Sequence, residues 1–266
     1  MTDRSGRVNF VRMERLLANM NLALQPLLAD YEFTIKTGLA RGLRRRFGRG
    51  FKPKFGMSRE EHFLDQLNLT GRSVYDIGGY IGLFTLFFAR KVGPLGRVIT
   101  CEPNPENFND LVRNVTLNHF ENVILREVAV SNRNGKVELY LDPIYPSRGS
   151  IKEGARHEQR AARPPIEVEG VTLDTLIHRE QLPKPDFVKI DVEGVELQVL
   201  HGMANVLESS RPELFIEIHG PLPEALVHFL GQFSYRLFHV ERGLEIGPGS
   251  VGEVQGGHLS CVAPRA

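Results

Sequence analysis

The sequence predicts an α/β fold: an open, mostly parallel β-sheet covered by helices on both faces. From about Gly71 onward, short apolar runs alternate with stretches of helical periodicity, which is the pattern of strands joined by right-handed helical crossovers. The composition is ordinary for a globular chain, with 266 residues, 41% hydrophobic, 24% charged and a net charge of +1. These values argue against a disordered, collagen-like or disulfide-stapled protein. The net charge is too small to identify a polyanionic partner by itself, so any such evidence must be local.

The chain is predicted to divide into an N-terminal extension over residues 1–56 and an α/β domain over residues 57–266. Apolar residues at helical spacing over residues 13–31 predict an amphipathic N-terminal helix, which could pair two copies of the chain in a homodimer. Residues 41–54 carry seven basic residues and no acid. We expect an irregular basic arm there, either a solvated linker or a peripheral contact with a membrane surface.

The predicted elements of the domain follow in chain order. A strand at 73–77 and a helix precede a second strand at 97–102, and Asn104 and Pro105 supply the N-cap and first position of the next helix. A third strand at 123–130 continues into a hairpin arm at 136–141. A polar, aperiodic loop follows at 142–165, and a loop of this length in a compact domain usually has a functional role. A buried strand at 186–191, a helix at 195–207, a strand at 213–220 and a helix at 222–233 come next. Two antiparallel strands at 235–240 and 259–263 close the chain.

The first functional signal is the glycine-rich turn after the first strand, Asp76-Ile77-Gly78-Gly79-Tyr80-Ile81-Gly82. Glycines let the backbone approach a ligand closely. A dinucleotide fingerprint ending at Gly82 would need glycine where Ile77 stands, and the Asp76 carboxylate would repel a pyrophosphate at the helix N-terminus. An ammonium or sulfonium ligand suits Asp76 instead, and S-adenosylmethionine carries both cations and no phosphate.

The second signal is Glu102-Pro103-Asn104-Pro105 at the end of the second strand. Glu102 stands 24 residues past Gly78, where an acid can accept hydrogen bonds from two ribose hydroxyls. Because both loops lie at the carboxyl ends of neighbouring strands, we expect them to bind one nucleoside ligand.

Four segments together resemble the FkbM family of S-adenosylmethionine-dependent methyltransferases: VYDIGGYIGLFTLFFA, EPNPENF, NVILREVAVSNRNGKVEL and FVKIDVEGVELQVLHG. The resemblance covers roughly residues 60–220. It implies a class I methyltransferase, Rossmann-like fold with a seven-stranded sheet containing one antiparallel strand. It also implies that the cofactor is held by Asp76, Gly78, Gly79, Tyr80, Gly82, Glu102, Pro103, Asn104, Glu127, Val128, Ala129 and Asp191.

Methyl transfer to an alcohol requires a positioned acceptor and one base. The candidate catalytic residues are Asp191 and Glu193 after the fourth strand and His219 at the end of the fifth. Their structural alternatives are an N-cap, a first-turn acid and a strand-end histidine with a backbone partner. Asp191, Glu217 and His219 also have donor types suited to a divalent ion, and a metal at this place is an alternative that the sequence leaves open but does not favour.

The expected partner is a small-molecule hydroxyl acceptor: a sugar, a glycolipid or a polyketide-type compound. No Pro-Pro-aromatic turn follows the fourth strand, which argues against methylation of a flipped base, and nucleic acid is not the expected partner. The alternatives are a tRNA or rRNA methyltransferase, favoured by the basic arm and the Glu102 loop, and a non-catalytic cofactor-binding interaction module. The start MTDRSGR lacks an apolar signal-like core, so we expect a cytoplasmic protein.

Overall fold

The computed structural model describes residues 31–46, 56–141, 150–151 and 164–264. The predicted N-terminal helix, apart from Tyr31, and most of the 142–165 loop lie outside the described residues. The strands are β1 (Glu32–Thr34), β2 (Arg44–Arg46), β3 (Ser73–Ile77), β4 (Arg97–Cys101), β5 (Val123–Arg126), β6 (Ala129–Val130), β7 (Gly135–Tyr140), β8 (Ser150–Ile151), β9 (Ile166–Val171), β10 (Phe187–Ile190), β11 (Glu213–Ile218), β12 (Arg236–His239), β13 (Leu244–Ile246) and β14 (Gly257–Val262). The helices are α1 (Arg59–Gln66), α2 (Leu83–Val92), α3 (Pro105–Leu117), α4 (Leu173–Glu180), α5 (Glu196–His201), α6 (Ala204–Ser209) and α7 (Glu224–Gln232), with a 3₁₀ helix at Pro248–Glu253.

The main sheet has the strand order β13-β12-β14-β11-β10-β3-β4-β5. From β11 to β5 all neighbours are parallel, whereas β14 runs antiparallel to both β11 and β12. The α/β class and the antiparallel closing strands are therefore confirmed. The expected count of seven strands, one of them antiparallel, needs correction because β13 pairs antiparallel with β12 and adds an eighth strand. Arg236 and Glu245 stabilise this hairpin with two hydrogen bonds of 2.8 and 2.9 Å.

Helices cover both faces of the sheet, because alternate strand residues point to opposite sides. In β3, Val74 belongs to the apolar cluster beneath α1 and α2, while Tyr75 and Ile77 belong to the larger cluster beneath α4 to α7. Parallel strands buried on both faces leave their carboxyl ends as the open edge. No helix among the described residues is long and apolar enough to cross a membrane.

The predicted third strand at 123–130 is two strands in different sheets. β5 ends at Arg126, and the chain turns at Glu127 so that β6 joins a separate four-stranded sheet with the order β6-β9-β7-β8. The amide of Ser131 donates to the carbonyl of Val171 at 2.9 Å and continues the β6–β9 pairing. This second sheet, which includes the predicted arm, forms one wall of the cavity described below.

The single helix predicted at 195–207 is also divided, into α5 and α6. The break lies at Gly202 and Met203, where the backbone passes very close to another segment: a Cβ on Gly202 would stand 1.9 Å from the carbonyl oxygen of Ser131. Periodicity reports the apolar face of a helix but not this local close approach.

The predicted irregular arm contains a strand within the described part of the chain. Arg44–Arg46 pair antiparallel with β1, and Arg45 is 5% exposed with its guanidinium 5.6 Å from the ring centre of Phe33. Arg44 and Arg46 both lie within ion-pair distance of Glu32. Basic composition predicted a solvated stretch, but β2 packs against the domain; residues 47–55 lie outside the described residues.

Candidate active site

A cavity of about 280 Å³ opens at the carboxyl ends of β3, β4 and β10. Predicted site residues contribute much of its lining: Gly78, Tyr80, Glu102, Pro103, Asn104, Val128, Ala129, Asp191 and Glu193. The lining also includes residues that the sequence analysis did not assign to a cofactor or a catalytic role: Ile77, Cys101, Asn107, Val130, Leu139, Val192, Val195 and Glu217. The two sequence loops and the end of the fourth strand thus meet at one place.

The glycines of the first loop are required mainly by contacts within the protein. A Cβ on Gly78, whose φ is +85°, would lie 1.9 Å from the carbonyl oxygen of Asp191. A Cβ on Gly79 would collide with Thr100, and one on Gly82 with Leu111 of α3. Gly78 therefore allows the loop to contact the end of β10, while Gly79 and Gly82 allow it to pack against β4 and α3. Gly79 and Gly82 do not line the cavity.

Glu102 is held rigidly at the end of β4. Its Oε2 accepts a 2.9 Å hydrogen bond from the amide of Tyr80, and its Oε1 accepts from the amide of Asn104 at 2.9 Å and from Nδ2 of Asn107 at 3.3 Å. Burial raises the pKa of Glu102 to about 7, although these hydrogen bonds oppose the shift. Oε2, which accepts only the Tyr80 hydrogen bond among these, keeps a second lone pair, so this group can still accept a hydrogen bond from a diol in the cavity.

Asp76 lies beneath the first loop and does not reach the cavity. Its Oδ2 accepts from Thr85 at 2.7 Å, and its Oδ1 lies 3.6 Å from Nζ of Lys189, which is 2% exposed. Burial raises the pKa of Asp76, against the effects of Lys189 and Thr85. Lys189 also donates to Asp191 at 3.1 Å, and the charges of Asp191 and Asp76 raise the pKa of Lys189 against its own desolvation. The buried lysine therefore links the first loop to the end of β10.

His219 is surrounded by carboxylates. Its Nδ1 lies 2.9 Å from Oε1 of Glu196. Its Nε2 lies 3.4 Å from Glu193, 3.5 Å from Glu217 and 3.8 Å from Asp191. Burial alone would lower the pKa of His219, but the Glu196 hydrogen bond and the surrounding charges raise it to about 9. At neutral pH the isolated protein therefore holds His219 protonated.

Glu217 extends this cluster to β14. Its Oε2 lies 3.6 Å from Nε2 of His258, whose Nδ1 is 2.5 Å from Oε1 of Glu241. Burial opposes ionisation of Glu217, but His258 and His219 outweigh it and lower the pKa of Glu217 to about 2. Burial alone would lower the pKa of His258, but Glu217 and Glu241 raise it.

The structural alternatives for the three candidate catalytic residues can now be compared with the geometry. The N-cap of α5 is Val195 without a side-chain cap, so Asp191 does not cap that helix. Glu193 has a φ of +55° and lines the cavity in the loop before α5. His219 is paired with side chains rather than with a backbone group, and it does not line the cavity itself.

A further predicted residue, besides Asp76, Gly79, Gly82 and His219, lies outside the cavity lining, and the structure adds other residues to the site. Glu127 is exposed and lies outside the cavity lining, whereas its neighbours Val128 and Ala129 line it. Asn107, one turn after the N-cap of α3, could have been found from its spacing to Glu102. Glu196 lies within the FVKIDVEGVELQVLHG segment, but only the fold brings it to His219. Leu139 comes from β7 in the second sheet, and no local sequence signal points to it.

Relatives of the chain share this region. The sequence model of the "Methyltransferase FkbM domain" matches residues 76–237. The hexuronic acid methyltransferase AglP of Haloferax volcanii is 30% identical over 146 residues, covering 55% of each protein. Methyltransferase sdnD of Sordaria araneosa is 29% identical over 170 residues, covering 54% of this chain and 65% of that protein. The matched region thus spans less than two thirds of these relatives.

A structure search gives the crystal structure of methyltransferase FkbM from Methylobacillus flagellatus, with a TM-score of 0.47, 16% identity, and coverage of 74% of this chain and 45% of that one. The family match runs from Asp76 at the end of β3 into β12 and covers more than half of the chain. The matched residues include both loops, the carboxylates around His219 and the strands that bring them together. The chain accordingly belongs to the FkbM methyltransferase domain family.

Proposed function

We propose that the protein transfers a methyl group from S-adenosylmethionine to a hydroxyl of a sugar, glycolipid or polyketide-type small molecule. One observation carries the proposal: Glu102 and the acidic pair Asp191 and Glu193 line a single cavity. One acid is placed for a ribose, and the pair is placed for a hydroxyl that must lose its proton. Membership of the FkbM family supports the same reaction.

The residues around the cavity fit this cofactor. The Glu102 carboxylate suits a ribose diol, and the apolar surface of Val128, Ala129 and Leu139 suits an adenine ring. Asp191 supplies negative charge for a sulfonium or an ammonium group. When bound, S-adenosylmethionine would supply an electrophilic methyl carbon.

The carboxylates around His219 define what the chain contributes to the reaction. Transfer of the methyl group from bound S-adenosylmethionine to the acceptor oxygen would require the acceptor hydroxyl to lose its proton to a group of the protein. Asp191 and Glu193 are the proton acceptors, since both line the cavity. His219 is protonated at neutral pH and instead holds the carboxylates in place. His219 is thus proposed as a positioning residue rather than the base.

A polyol fits this surface better than a nucleic acid, because a row of phosphates beside several carboxylates would be repelled. One relative is named for methylation of a hexuronic acid, which supports a sugar as the acceptor. In the described part of the basic arm, Arg45 is buried and Arg44 and Arg46 pair with Glu32. These three arginines therefore give the RNA alternative little support.

Calorimetry and methyl transfer test the proposal together. S-adenosylmethionine and S-adenosylhomocysteine should bind, and NAD should not. The variant Glu102→Gln replaces an acceptor oxygen with a donor, and loss of a hydrogen bond to a charged group should weaken cofactor binding by roughly 10- to 100-fold. The matched control Glu121→Gln removes an exposed acid outside the cavity and should bind as wild type does.

Isotope-labelled methyl groups then identify the acceptor class. Label should appear on glycosides or other polyols and not on tRNA or rRNA. Transfer to RNA alone would reverse the acceptor assignment. Cofactor binding without transfer to any acceptor would favour the non-catalytic module, and NAD binding with indifference to S-adenosylmethionine would overturn the whole proposal.

A further inference from the structure

The His219 cluster lies at the ends of β10 and β11, at the cavity wall formed by Asp191 and Glu217. From its geometry we infer that Asp191, Glu217 and His219 form a binding site for one divalent cation of the Mn²⁺ type, beside the acceptor hydroxyl. The inference rests on the proposed function, because it assigns the cation to the acceptor side of that same cavity. It departs from the sequence analysis, which favoured a site without metal.

The spacing of the three groups matches ligands rather than hydrogen-bond partners. One oxygen of Asp191, one of Glu217 and a ring nitrogen of His219 all lie within 4.8 Å of one another. Nε2 of His219 comes no closer than 3.4 Å to any of the carboxylates it faces, whereas a charge-assisted hydrogen bond measures about 2.7–2.9 Å. Ligands held about 2.1 Å from one ion stand roughly 3.0–3.4 Å apart. The distances from Nε2 of His219 to Asp191 and Glu217, 3.8 and 3.5 Å, would have to shorten by only a few tenths of an ångström to reach that range.

The other nitrogen of His219 is oriented as in known metal sites. Glu196 is 5% exposed, and its Oε1 lies 2.9 Å from Nδ1 of His219 and accepts from the amide of Gly194 at 2.9 Å. A histidine that ligates a metal usually donates its second ring N–H to a carboxylate, which selects the tautomer and the ring orientation. Glu196 thus directs the lone pair of Nε2 toward Asp191 and Glu217.

The negative charge around His219 also favours a bound cation. Four carboxylates surround His219, from Asp191, Glu193, Glu196 and Glu217, and Lys189 contacts one of them. Acids brought together in a partly buried place repel one another unless cations compensate. A divalent cation would replace the single proton of the imidazolium with two positive charges.

A second histidine–carboxylate group provides a contrast within the described part of the chain. Glu60, Glu241 and His258 also lie within ligand reach of one another. There, however, Nδ1 of His258 makes a direct 2.5 Å contact with Glu241, so that nitrogen is already used in an ion pair. This difference makes Glu60→Gln a control that changes a similar group without touching the inferred site.

The donor set indicates the kind of cation and its task. Two carboxylates favour hard cations, and the imidazole favours first-row transition metals, so Mn²⁺ meets both preferences better than Mg²⁺ or Ca²⁺. Three protein ligands leave positions for hydroxyls of the acceptor, whose proton would be easier to remove there. Glu193, which lies beside the site but outside this ligand set, is then the proton acceptor.

Manganese binding is measured directly on the whole chain after treatment with EDTA and dialysis. Titration with MnCl₂, followed by the electron paramagnetic resonance signal of free Mn²⁺, should show one equivalent bound. Asp191→Asn and His219→Ala should each weaken it at least tenfold, while Glu60→Gln should match wild type.

The outcomes separate this inference from the proposed function. Thermal unfolding confirms that each variant is folded, and S-adenosylhomocysteine is titrated into the same samples. Cofactor binding with no Mn²⁺ uptake in folded wild-type protein would overturn the cation site and leave the methyltransferase proposal standing. Mn²⁺ uptake that survives in His219→Ala, or is lost in Glu60→Gln, would also overturn the site. Mn²⁺ uptake without cofactor binding would instead contradict the proposed function.

Discussion

Gly78 and Gly194 show how much a single position depends on its surroundings. Both glycines have positive φ, +85° and +99°, and both lie in loops at the cavity. A Cβ on Gly78 would stand 1.9 Å from the backbone of Asp191, while one on Gly194 would meet nothing within 4 Å. At Gly194 glycine is favoured only by its backbone conformation. At Gly78 it is also required by the contact between two strand ends.

Replacing each glycine with alanine separates the two effects. Gly194→Ala should cost about 1 kcal/mol of unfolding free energy, the usual penalty for a left-handed conformation. Gly78→Ala adds a backbone collision and should cost at least about 3 kcal/mol. Chemical denaturation measures both, and equal costs would contradict the close contact between the first loop and the end of β10.

Helix α3 holds the β1–β2 ribbon through asparagine side chains that act in place of a neighbouring strand. Asn118 accepts from the amide of Arg44 at 2.8 Å and donates to its carbonyl at 2.7 Å. Asn114 accepts from the amide of Arg46 at 3.0 Å and donates to the carbonyl of Ile81 in the glycine loop at 2.8 Å. One buried side chain thus connects the ribbon to the loop that lines the cavity.

Asn114→Ala should therefore loosen both segments. Removal of a buried partner leaves two backbone groups unsatisfied, at a cost of about 2–3 kcal/mol. Asn118→Ala should cost about 1 kcal/mol or less, because water can reach its partners. Hydrogen exchange should become faster at the Arg46 amide in Asn114→Ala. Unchanged exchange there would show that β2 is held by other contacts.

The order of strands in the main sheet collects charges that are far apart in the chain. β3, β10, β11 and β14 are neighbours, so a chain of polar contacts runs from Asp76 through Lys189, Asp191, His219 and Glu217 to His258. His219, at the centre of the cluster, has the residues of β10, α5 and β11 around it. The whole sheet, rather than one loop, sets the protonation of this site.

Stability of the EDTA-treated protein should follow from that arrangement. His219 has a pKa of about 9 in the folded chain against an ordinary 6.5. Its stabilising contribution is therefore complete below pH 6.5 and is lost as the pH rises toward 9. Glu217, lowered from 4.5 to about 2, contributes fully above pH 4.5 and loses its contribution as the pH falls toward 2.

The measurement compares wild type with His219→Gln by denaturation from pH 6 to pH 9.5. The difference in unfolding free energy should shrink by about 2–3 kcal/mol across this range. His178→Gln, which changes an exposed histidine, should show no such trend. A difference that grows with pH would contradict a protonated His219 in the cation-free protein.

Several features of the site could be predicted from the sequence because they depend on local signals at strand ends. The glycine loop, Glu102 and Asp191 each follow a short apolar run directly, and carboxyl ends of adjacent parallel strands meet at one edge. The N-cap at Asn104 also appears as predicted, with its side chain accepting from the amide of Glu106. These inferences needed only periodicity and the order of elements.

The remaining features depend on contacts between segments that are far apart in the sequence, and hydrophobic periodicity does not predict such contacts. Composition indicated a free basic arm, but Arg45 is buried and α3 offers a hydrogen-bond partner to the backbone of β2. The break between β5 and β6 was missed since an apolar run does not show which sheet its residues join. Glu196 reads as an ordinary first-turn acid, and its contact with His219 exists only because β11 lies beside β10.

The order of residues along the chain was thus enough to establish the α/β class and the two loops that meet at the cavity, because nearby residues encode them. The tertiary structure alone decided that four carboxylates converge on one imidazole, that a second sheet provides the apolar wall, and that the first loop touches the fourth strand of the parallel core. Each of these features depends on segments that packing brings together. These segments are far apart in the sequence, so local sequence patterns do not show their contacts.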